Sequence, residues 1–388
     1  MKVFFYCQHI LGIGHFFRSF EIARALSPHE VLFVEGGEPF QNIPSPPHVR
    51  RFFLPPLMMD EAFERFNLEG DELVSVQNER KEKLLRAYDE FSPDVVIIEL
   101  FPFGRKKFSF ELIPLLERIR TGSPKTLTVC SLRDILVEKK DRESYELRVT
   151  KILNKYFDLV LIHSDERIFT LEESFFRSDD IKIPVYYTGF VARSSSRPGS
   201  PGTHDGRRKI VVSTGGGKVG SELIEAAILA ILEIPDSSLI MEVYVGPFME
   251  ESRRRELEAI AREDERIQFK PFAPDFIDVL SQADISISMA GYNTVMDLIC
   301  TGTYGILYPF KRNREQQLRA ERLARFGRFV VINEAKPEII RREIQRGLDQ
   351  VSHITSKKEL PDAINLNGAQ RTKEILEAEL QKRILSVH

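Results

Sequence analysis

The sequence predicts an α/β protein with two Rossmann-like domains, each built on a parallel β-sheet. Three observations predict this fold class. Short β-branched and aromatic runs alternate with amphipathic stretches, which is typical of repeated βα units. The alternation stops at residues 193–208, RSSSRPGSPGTHDGRR, and restarts after them. The sequence therefore predicts a first domain over 1–192, a linker over 193–208 and a second domain over 209–388.

The first half alternates regularly between the two kinds of segment. Its strand candidates are short and almost wholly apolar, as expected for parallel strands buried on both faces. In chain order they are KVFFYC, EVLFVEG, DVVIIEL, KTLTVCSL and DLVLIHS. The clearest helices between them are HFFRSFEIARAL and SFELIPLLERI.

The second half repeats the pattern. Its strand candidates are KIVVSTGGG, LIMEVYVG, RIQFKPF, ADISISMAG and YGILYPF, and its helix candidates include SELIEAAILAIL, TVMDLICTG and REQQLRAERLARFG. The segment 369–384 predicts a terminal amphipathic helix. The sequence assigns this helix to the second domain and leaves open whether it packs back on the first.

Length and composition narrow the class of protein. A chain of 388 residues can hold two domains, and 42% apolar with 29% charged residues is ordinary for a globular protein. A formal charge of −3 gives no reason to expect a nucleic-acid partner. Without a leader or a long apolar run, the expected location is the cytoplasm. Three widely spaced cysteines predict free thiols rather than a disulfide or a metal site.

In parallel sheets, ligands bind beyond the carboxyl ends of the strands, where glycine-rich turns meet helix starts. Three such turns stand out. In the first, HILGIGHFFR, Gly12 and Gly14 allow close approach of a ligand to the backbone, His15 can take a proton at a helix start, and Arg18 follows one turn later. The alternative for this turn is a histidine that only caps or packs.

The second turn is STGGGKVGS. Its glycines satisfy the dinucleotide-binding spacing, but the next strand ends in VGP without the acidic residue that would hold a ribose. Lys218 is followed by valine, so the P-loop pattern fails as well. What remains is a diphosphate site of backbone amides at Gly215, Gly216 and Gly217 beside Lys218, or simply a tight turn.

The third turn lies in SMAGYNTVMDLICTG and continues to REQQ. Gly291, Asn293 and Thr294 begin a helix and expose amides for a phosphate, and Asp297 can accept ribose hydroxyls. Gln316 and Gln317 begin a later helix, and their amides can bond sugar hydroxyls. From these residues alone, a helix-start charge and surface glutamines would be the simpler interpretation.

The pattern AGYNT…D…G…P…REQQ…A resembles the nucleotide-sugar-binding domain of MurG-type glycosyltransferases, and GIGHxxR resembles the first domain of the same GT-B superfamily. With ELFPFGRKKFSFELIPLL at 99–116, the resemblance is closer still to a group of predicted bacterial glycosyltransferases of unassigned substrate. The resemblance implies two Rossmann-like domains facing a central cleft, with the acceptor on the first and the nucleotide sugar on the second.

The resemblance also implies roles for single residues. Asp297 matches the ribose-binding glutamate, one methylene shorter, and Met289 stands where related enzymes often carry histidine or arginine. The other implied donor contacts are the phosphate-loop pair Gly291 and Thr294, the base-recognition pair Phe272 and Ala273, and the sugar-reading pair Gln316 and Gln317.

For the reaction, the resemblance implies inverting transfer from a nucleotide sugar, usually a UDP-sugar, without a metal or other cofactor. His15 is the favoured general base, and Glu99 either orients it, takes the proton itself, or simply pairs with Arg105. Two alternatives stay open: a nucleotide-sugar hydrolase in which His15 activates water, and a sugar-nucleotide-binding protein without catalysis.

Two segments combine apolar with basic residues and suggest the acceptor. They are IPSPPHVRRFFLPPLMMD at 43–60 and FPFGRKKFSF at 101–110, which contains Arg105. Such segments suit peripheral contact with the inner face of a membrane and a lipid-linked or phosphorylated acceptor. The alternative, a buried strand with solvated or phosphate-binding basic residues, is somewhat favoured by the sequence.

Overall fold

The computed structural model describes residues 1–9, 14–39, 43–59, 65–122, 126–136, 141–193, 206–310, 314–352 and 364–386. Gly12 and residues 194–205 of the predicted linker lie outside these ranges. The chain forms two compact units. The first comprises Met1–Val191 together with Asn365–His388, and the second is Ala192–Ile364.

The first unit contains a parallel sheet that has seven strands within the described residues. The strands are β1 (Lys2–Cys7), β2 (Glu30–Glu35), β3 (Val49–Phe53), β4 (Val95–Glu99), β5 (Leu127–Arg133), β6 (Leu159–His163) and β7 (Val185–Tyr187). Their spatial order is β3-β2-β1-β4-β5-β6-β7.

The second unit contains a parallel sheet with six strands in the described part of the chain. They are β8 (Arg208–Ser213), β9 (Leu239–Tyr244), β10 (Ile267–Lys270), β11 (Ile285–Met289), β12 (Tyr304–Tyr308) and β13 (Phe329–Val331). Their order is β10-β9-β8-β11-β12-β13. The predicted class of two Rossmann-like parallel-sheet domains is confirmed.

Helices alternate with these strands along the chain. They are α1 (Gly14–Ala25), α2 (Gly70–Phe91), α3 (Ser109–Thr121), α4 (Arg142–Tyr156), α5 (Ser221–Leu232), α6 (Glu251–Ala261), α7 (Phe276–Gln282), α8 (Tyr292–Thr301), α9 (Arg314–Leu323), α10 (Pro337–Ser352) and α11 (Gly368–Ser386). Short 3-10 helices cover Lys106–Phe108, Leu171–Glu173 and Ser178–Asp180.

The central strand β1 is buried on both faces. Val3, Phe5 and Cys7 point into one apolar cluster, and Phe4 and Tyr6 point into another. This follows from the two-residue repeat of a strand, which sends successive side chains to opposite faces. Burying one such apolar side chain contributes about 1.5–3 kcal/mol. The all-apolar run at the start of the sequence is therefore what places β1 at the centre of the sheet.

Both sheets have a switch point, where successive connections leave in opposite directions. β1 lies beside β4 in the first sheet, and β8 lies beside β11 in the second. From β1 the chain adds β2 and β3 on one side, whereas from β4 it adds β5, β6 and β7 on the other. The crevice at the carboxyl ends of such a strand pair is the usual ligand site of an open α/β sheet. In the two units these crevices lie in front of α1 and in front of α5 and α8.

The terminal helix α11 belongs to the first unit. Ile375 and Leu376 are buried in the same apolar cluster as Phe16 of α1, and Glu379 accepts a hydrogen bond from Tyr186 at 2.8 Å. The sequence assigned this segment to the range 209–388 and left its packing open. In the structure, the chain leaves the first unit after Val191 and returns to it at Asn365.

The two segments predicted to meet a membrane are mostly core. Leu54 and Leu57 are buried, as are the three aromatic residues Phe101, Phe103 and Phe108. Residues 49–53 form β3 at the sheet edge, so the alternative is correct in predicting a strand, but Phe53 is 42% exposed rather than buried. The interfacial interpretation was wrong for Leu54, Leu57 and the three buried aromatic residues, because they fill the space between the sheet and helices α2 and α3. In the described ranges, none of the helices has the length and apolar character needed to cross a membrane.

Candidate functional site

A histidine and a glutamate meet at the switch point of the first sheet. His15 lies in the first turn of α1, and Glu99 is the last residue of β4. His15 Nδ1 lies 2.6 Å from Glu99 Oε1. Because a carboxylate can only accept, the imidazole carries its proton on Nδ1 and presents a lone pair at Nε2. The Glu99 side chain is fully buried, whereas 21% of His15 is exposed.

Arg18 approaches the same carboxylate one helical turn after His15. Its Nη2 donates to Glu99 Oε1 at 2.6 Å, and the residue is only 3% exposed. Arg18 belongs to the domain to which the sequence assigned the acceptor. The structure places it against Glu99, where it neutralises the buried carboxylate and fixes its orientation.

The pKa values of His15 and Glu99 are both lowered into the acid range. Burial lowers the pKa of His15 to about 3; Arg105 and Arg18 act in the same direction, and Glu99 opposes them. For Glu99, burial would raise the pKa, but His15, Arg105 and Arg18 outweigh it and lower the pKa to about 2. At neutral pH this geometry holds a neutral imidazole against an ionised carboxylate, as a general base requires.

Arg105 faces the other oxygen of Glu99. Its Nη2 lies 3.7 Å from Glu99 Oε2, and 6% of its side chain is exposed. Arg105 thus joins His15, Arg18 and Glu99 in one cluster, called the Glu99 cluster below. Of the residues predicted for this side of the site, Gly12 lies outside the described ranges, and Gly14 begins α1.

A second buried histidine lies beside the Glu99 cluster and was not singled out from the sequence. His163 ends β6, and its Nε2 lies 2.8 Å from Ser131 Oγ while its Nδ1 lies 2.9 Å from Thr188 Oγ1. Ser131 is the register partner of Glu99 across β4 and β5. Burial lowers the pKa of His163 to about 3. The available signal was the polar HS pair at the carboxyl end of the apolar run DLVLI.

In the second unit, the glycine turn after β8 packs against the turn after β9. Gly217 has φ +82°, and a Cβ there would lie 2.9 Å from the backbone of Gly246. Phe248 N donates to Gly216 O at 2.9 Å. Gly215, with φ +66°, is exposed and has open space around its Cα. Position 217 must therefore be glycine, because any side chain would clash with the turn after β9. At Gly215 the backbone is exposed, as a phosphate site of backbone amides requires.

Helix α5 begins directly after this turn. Gly220 precedes it with φ +91°, and a Cβ at Gly220 would lie 2.8 Å from Met289 Sδ. Lys218 is exposed beside the turn. Met289 is buried and packs under the start of α5. It therefore supports the glycine turn.

Helix α8 begins at the neighbouring strand end. Gly291 caps it in extended conformation, and Asn293 and Thr294 are half-buried in its first turn. A Cβ on Gly291 would meet only Thr294 Oγ1, at 4.0 Å, so one side of this cap is open. The first four amides of a helix lack intrahelical partners and favour an anion. The structure thus places two helix starts, of α5 and α8, at the switch point of the second sheet.

Asp297, the predicted ribose-binding residue, is not open to solvent. It is 1% exposed, and both of its oxygens accept hydrogen bonds from Arg193, with Nε 3.2 Å from Oδ1. Arg193 also donates to Pro274 O at 3.1 Å. Burial raises the pKa of Asp297, and Arg193 opposes this. Ribose binding by Asp297 would require this pair to open. Arg193, counted in the predicted linker, was not recognised as a partner.

The remaining predicted donor residues lie near strand ends or helix starts of the second unit. Gln316 Oε1 accepts from Phe310 N at 3.0 Å, whereas the exposed Gln317 donates to Glu321 at 2.8 Å. Phe272 and Ala273 follow β10 and are half-buried. Within the described ranges, His, Cys, Asp and Glu side chains form no group of three or more that could hold a metal ion.

Comparison with known proteins gives a family match over part of the chain. Residues 211–375 match the glycosyltransferase family 28 C-terminal domain. A UDP-N-acetylglucosamine--N-acetylmuramyl-(pentapeptide) pyrophosphoryl-undecaprenol N-acetylglucosamine transferase of Caldanaerobacter subterraneus subsp. tengcongensis is 29% identical over 133 residues. This match covers 33% of the chain but only 35% of the length of that curated relative.

Two further comparisons span both units. An uncharacterized glycosyltransferase of Methanosarcina mazei is 22% identical over 345 residues, which cover 82% of each chain. The crystal structure of Acinetobacter baumannii MurG superposes with a TM-score of 0.55 at 15% identity, over 97% of this chain and 100% of the other. The predicted GT-B fold and the predicted likeness to MurG-type glycosyltransferases are confirmed.

Proposed function

We propose that this protein transfers a sugar from a nucleotide sugar to an acceptor hydroxyl. The observation that carries the proposal is the neutral His15 imidazole held by the buried Glu99 carboxylate at the switch point of the first sheet. The glycosyltransferase family 28 match over residues 211–375 supports the donor half of the proposal. The first unit would supply the base, and the second unit would hold the donor.

In the proposed reaction, His15 Nε2 takes the proton of the acceptor hydroxyl. The freed oxygen attacks the anomeric carbon of the sugar, the bond from that carbon to the diphosphate breaks, and the nucleoside diphosphate leaves with the electron pair. A single displacement of this kind inverts the anomeric centre. General-base catalysis contributes about 10² to 10⁴ in rate. Glu99 orients the imidazole and stabilises its protonated form, because its accepting oxygen already bonds His15 and Arg18.

The diphosphate would lie against the helix starts of the second unit. The exposed Gly215, the half-buried Gly216 and the exposed Lys218 stand before α5, and Asn293 and Thr294 stand in the first turn of α8. Backbone amides aimed at a leaving diphosphate stabilise its developing charge without a metal. We therefore propose metal-independent transfer. The name of the Caldanaerobacter relative supports UDP as the donor nucleotide.

The acceptor is proposed to be lipid-linked or phosphorylated, again on the basis of that relative's name. Hydrolysis would follow the same path, with water in place of the acceptor hydroxyl, and sugar-nucleotide binding without catalysis would need only the second unit. Both are distinguished from transfer by whether an acceptor is required for turnover.

The deciding experiment incubates the purified protein with a panel of nucleotide sugars and follows nucleoside diphosphate release. Parallel samples contain no acceptor, a cell lipid extract, or EDTA. Acceptor-dependent release that persists in EDTA, with an inverted anomeric centre in the product by NMR, supports the proposal. Release in water alone indicates hydrolysis. UDP binding by calorimetry with no release under any condition indicates a binding protein.

A further inference from the structure

The loop between β4 and the Lys106–Phe108 turn is strained at both ends. Leu100 has φ +66° and Arg105 has φ +57°, although neither is glycine. L-residues adopt this left-handed region at an energetic cost, and such residues concentrate at functional sites. The buried Phe101 and Phe103 anchor the loop, and Gly104 N donates to Leu100 O at 2.8 Å. The loop therefore holds Arg105 in a conformation that its own backbone disfavours.

The guanidinium held in this way has no hydrogen-bond partner among the described residues. Arg105 Nε and Nη2 are buried and have no hydrogen-bond partner. Glu99 Oε2 lies 3.7 Å from Nη2, within ion-pair distance but beyond hydrogen-bond distance, and it has no hydrogen-bond partner of its own. A buried guanidinium has five donors to satisfy, and leaving them unpaired costs free energy.

The positive and negative charges of the Glu99 cluster also do not balance. Arg18 and Arg105 each carry a positive charge, Glu99 carries one negative charge, and His15 is neutral at pH 7. One buried positive charge therefore remains uncompensated within the cluster. Arg133, at the end of β5, adds to the positive potential at Arg105. An anion beside Arg105 would correct both the charge and the missing hydrogen bonds.

We propose that Arg105 binds an anionic group of the acceptor, a phosphate or a carboxylate, beside the hydroxyl that His15 deprotonates. This inference rests on the proposed function for the identity of the ligand as an acceptor. It gives the acceptor a required chemistry: a negative charge close to its nucleophilic hydroxyl. Arg105 faces Glu99 Oε2, while His15 and Arg18 bond Oε1, so an anion on Arg105 would lie one carboxylate group away from the imidazole that Glu99 orients.

Binding of inorganic phosphate tests the site without any enzymatic assay. Phosphate is titrated by calorimetry into wild-type protein, Arg105→Met, Arg105→Lys and the matched control Lys106→Met, with UDP present to occupy the helix starts of the second unit. Lys106 is the exposed neighbour of Arg105. We expect Arg105→Met to weaken phosphate binding by about tenfold or more, Arg105→Lys to weaken it less, and Lys106→Met to leave it unchanged.

Thermal unfolding without phosphate separates this role from a structural one. Arg105→Met removes the uncompensated charge and leaves Glu99 bonded to His15 and Arg18, so its melting temperature should equal or exceed that of wild type. A clear decrease, or phosphate affinity within twofold of wild type, would overturn the proposal. If Arg105→Met fails to fold, Arg105→Lys is compared with Lys106→Met instead. Weaker phosphate binding in Arg105→Lys supports the proposal, and equal binding in the two variants overturns it.

The source of the anion and the proposed function are tested separately. Competition with acetate, soluble glycerol phosphate, and phosphatidylcholine vesicles carrying a polyprenyl phosphate distinguishes a carboxylate, a soluble phosphate and a lipid phosphate. Arg105-dependent phosphate binding without turnover of any nucleotide sugar would support the anion site and refute the transferase. Acceptor-dependent turnover that is equal in wild type and Arg105→Met would support the transferase and refute the anion site.

Discussion

Glu111 and Glu99 are both completely buried carboxylates of the first unit, and each pairs with a buried arginine at 2.6 Å. Their surroundings differ. Around Glu111, Arg80 uses all its nitrogens, and Tyr6 donates to the carboxylate at 2.5 Å. The acceptors of Arg80 are Glu111, Gly36 O, Pro55 O and Gln8. Around Glu99, one carboxylate oxygen and the Arg105 donors have no partner in the described chain.

From this difference we infer that the Glu111 cluster stabilises the fold and that the Glu99 cluster takes part in ligand binding and chemistry. A fully bonded buried ion pair fixes its elements relative to one another, and here it ties α2 and α3 to the ends of β1 and β2. An incompletely bonded one keeps donors and charge available for a ligand, at a cost in stability. Each prediction below tests whether this division is correct.

The largest effect is expected for His15→Ala. Removing the base should lower turnover by about 10² to 10⁴ while leaving UDP affinity and the unfolding free energy nearly unchanged. Turnover and calorimetric UDP binding are compared with those of His29→Ala, a control outside the Glu99 cluster whose imidazole bonds Glu377 at 2.7 Å. Turnover equal to that of the control would move the base role to Glu99 or to solvent.

For Arg80→Met we expect a loss of stability without a loss of turnover. This change leaves the buried Glu111 charge without its cation, and breaking a buried pair in this way costs about 3–5 kcal/mol of unfolding free energy. Urea denaturation measures the loss, and Arg80→Met combined with Glu111→Gln should restore part of it. Turnover of the fraction that stays folded should be normal. Unchanged stability would show that complete bonding is not the mark of a structural cluster.

The Asp297 and Arg193 pair of the second unit offers a third case. Because Asp297 is buried and bonded through both oxygens, it resembles the Glu111 cluster. Asp297→Asn should lower the unfolding free energy by about 1–3 kcal/mol and leave UDP affinity within twofold. Denaturation and calorimetry measure the two effects. Normal stability with weakened UDP binding would instead restore the ribose role that the sequence predicted.

The pH dependence of turnover tests the electrostatics of the Glu99 cluster. With a pKa lowered to about 3, His15 stays neutral, so turnover should not fall between neutral pH and pH 5. Stability behaves differently: below pH 6.5 the unfolded chain binds a proton on His15 that the folded chain does not, so this residue makes stability decrease as pH falls toward 3. An acid limb of turnover centred near 6.5 would contradict the predicted environment.

The smallest effect concerns the exposed end of the Arg105 loop. Lys106 and Lys107 are exposed and are the part of the predicted membrane-contact segment that still faces solvent. Each cation near an anionic surface contributes about 1 kcal/mol. Co-sedimentation with anionic vesicles should therefore weaken in Lys106→Ala/Lys107→Ala but not in Lys83→Ala/Lys382→Ala. Equal sedimentation of the two double variants would remove this segment from any membrane contact.

The sequence predicted the repeating βα order because that order depends on local apolar runs and turn residues. It also named His15 and Glu99 together, although their contact depends on β1 lying beside β4, which no local pattern reveals. Long-range pairing was missed: Arg193 and Asp297 are 104 residues apart in the chain. The sequence left open whether the FPFGR loop meets a membrane, because Pro102 interrupts regular structure there, whereas in the structure its aromatic rings are buried.

The return of the chain at Asn365 has a consequence for synthesis. Ile375 and Leu376 of α11 cover the helix that carries His15, and the whole second unit is translated between these two segments. Domains generally fold in order as they emerge from the ribosome. Here residues 1–191 emerge first, but the helix bearing His15 stays partly uncovered until α11 has followed the second unit, so its final packing waits for the return of the chain at Asn365.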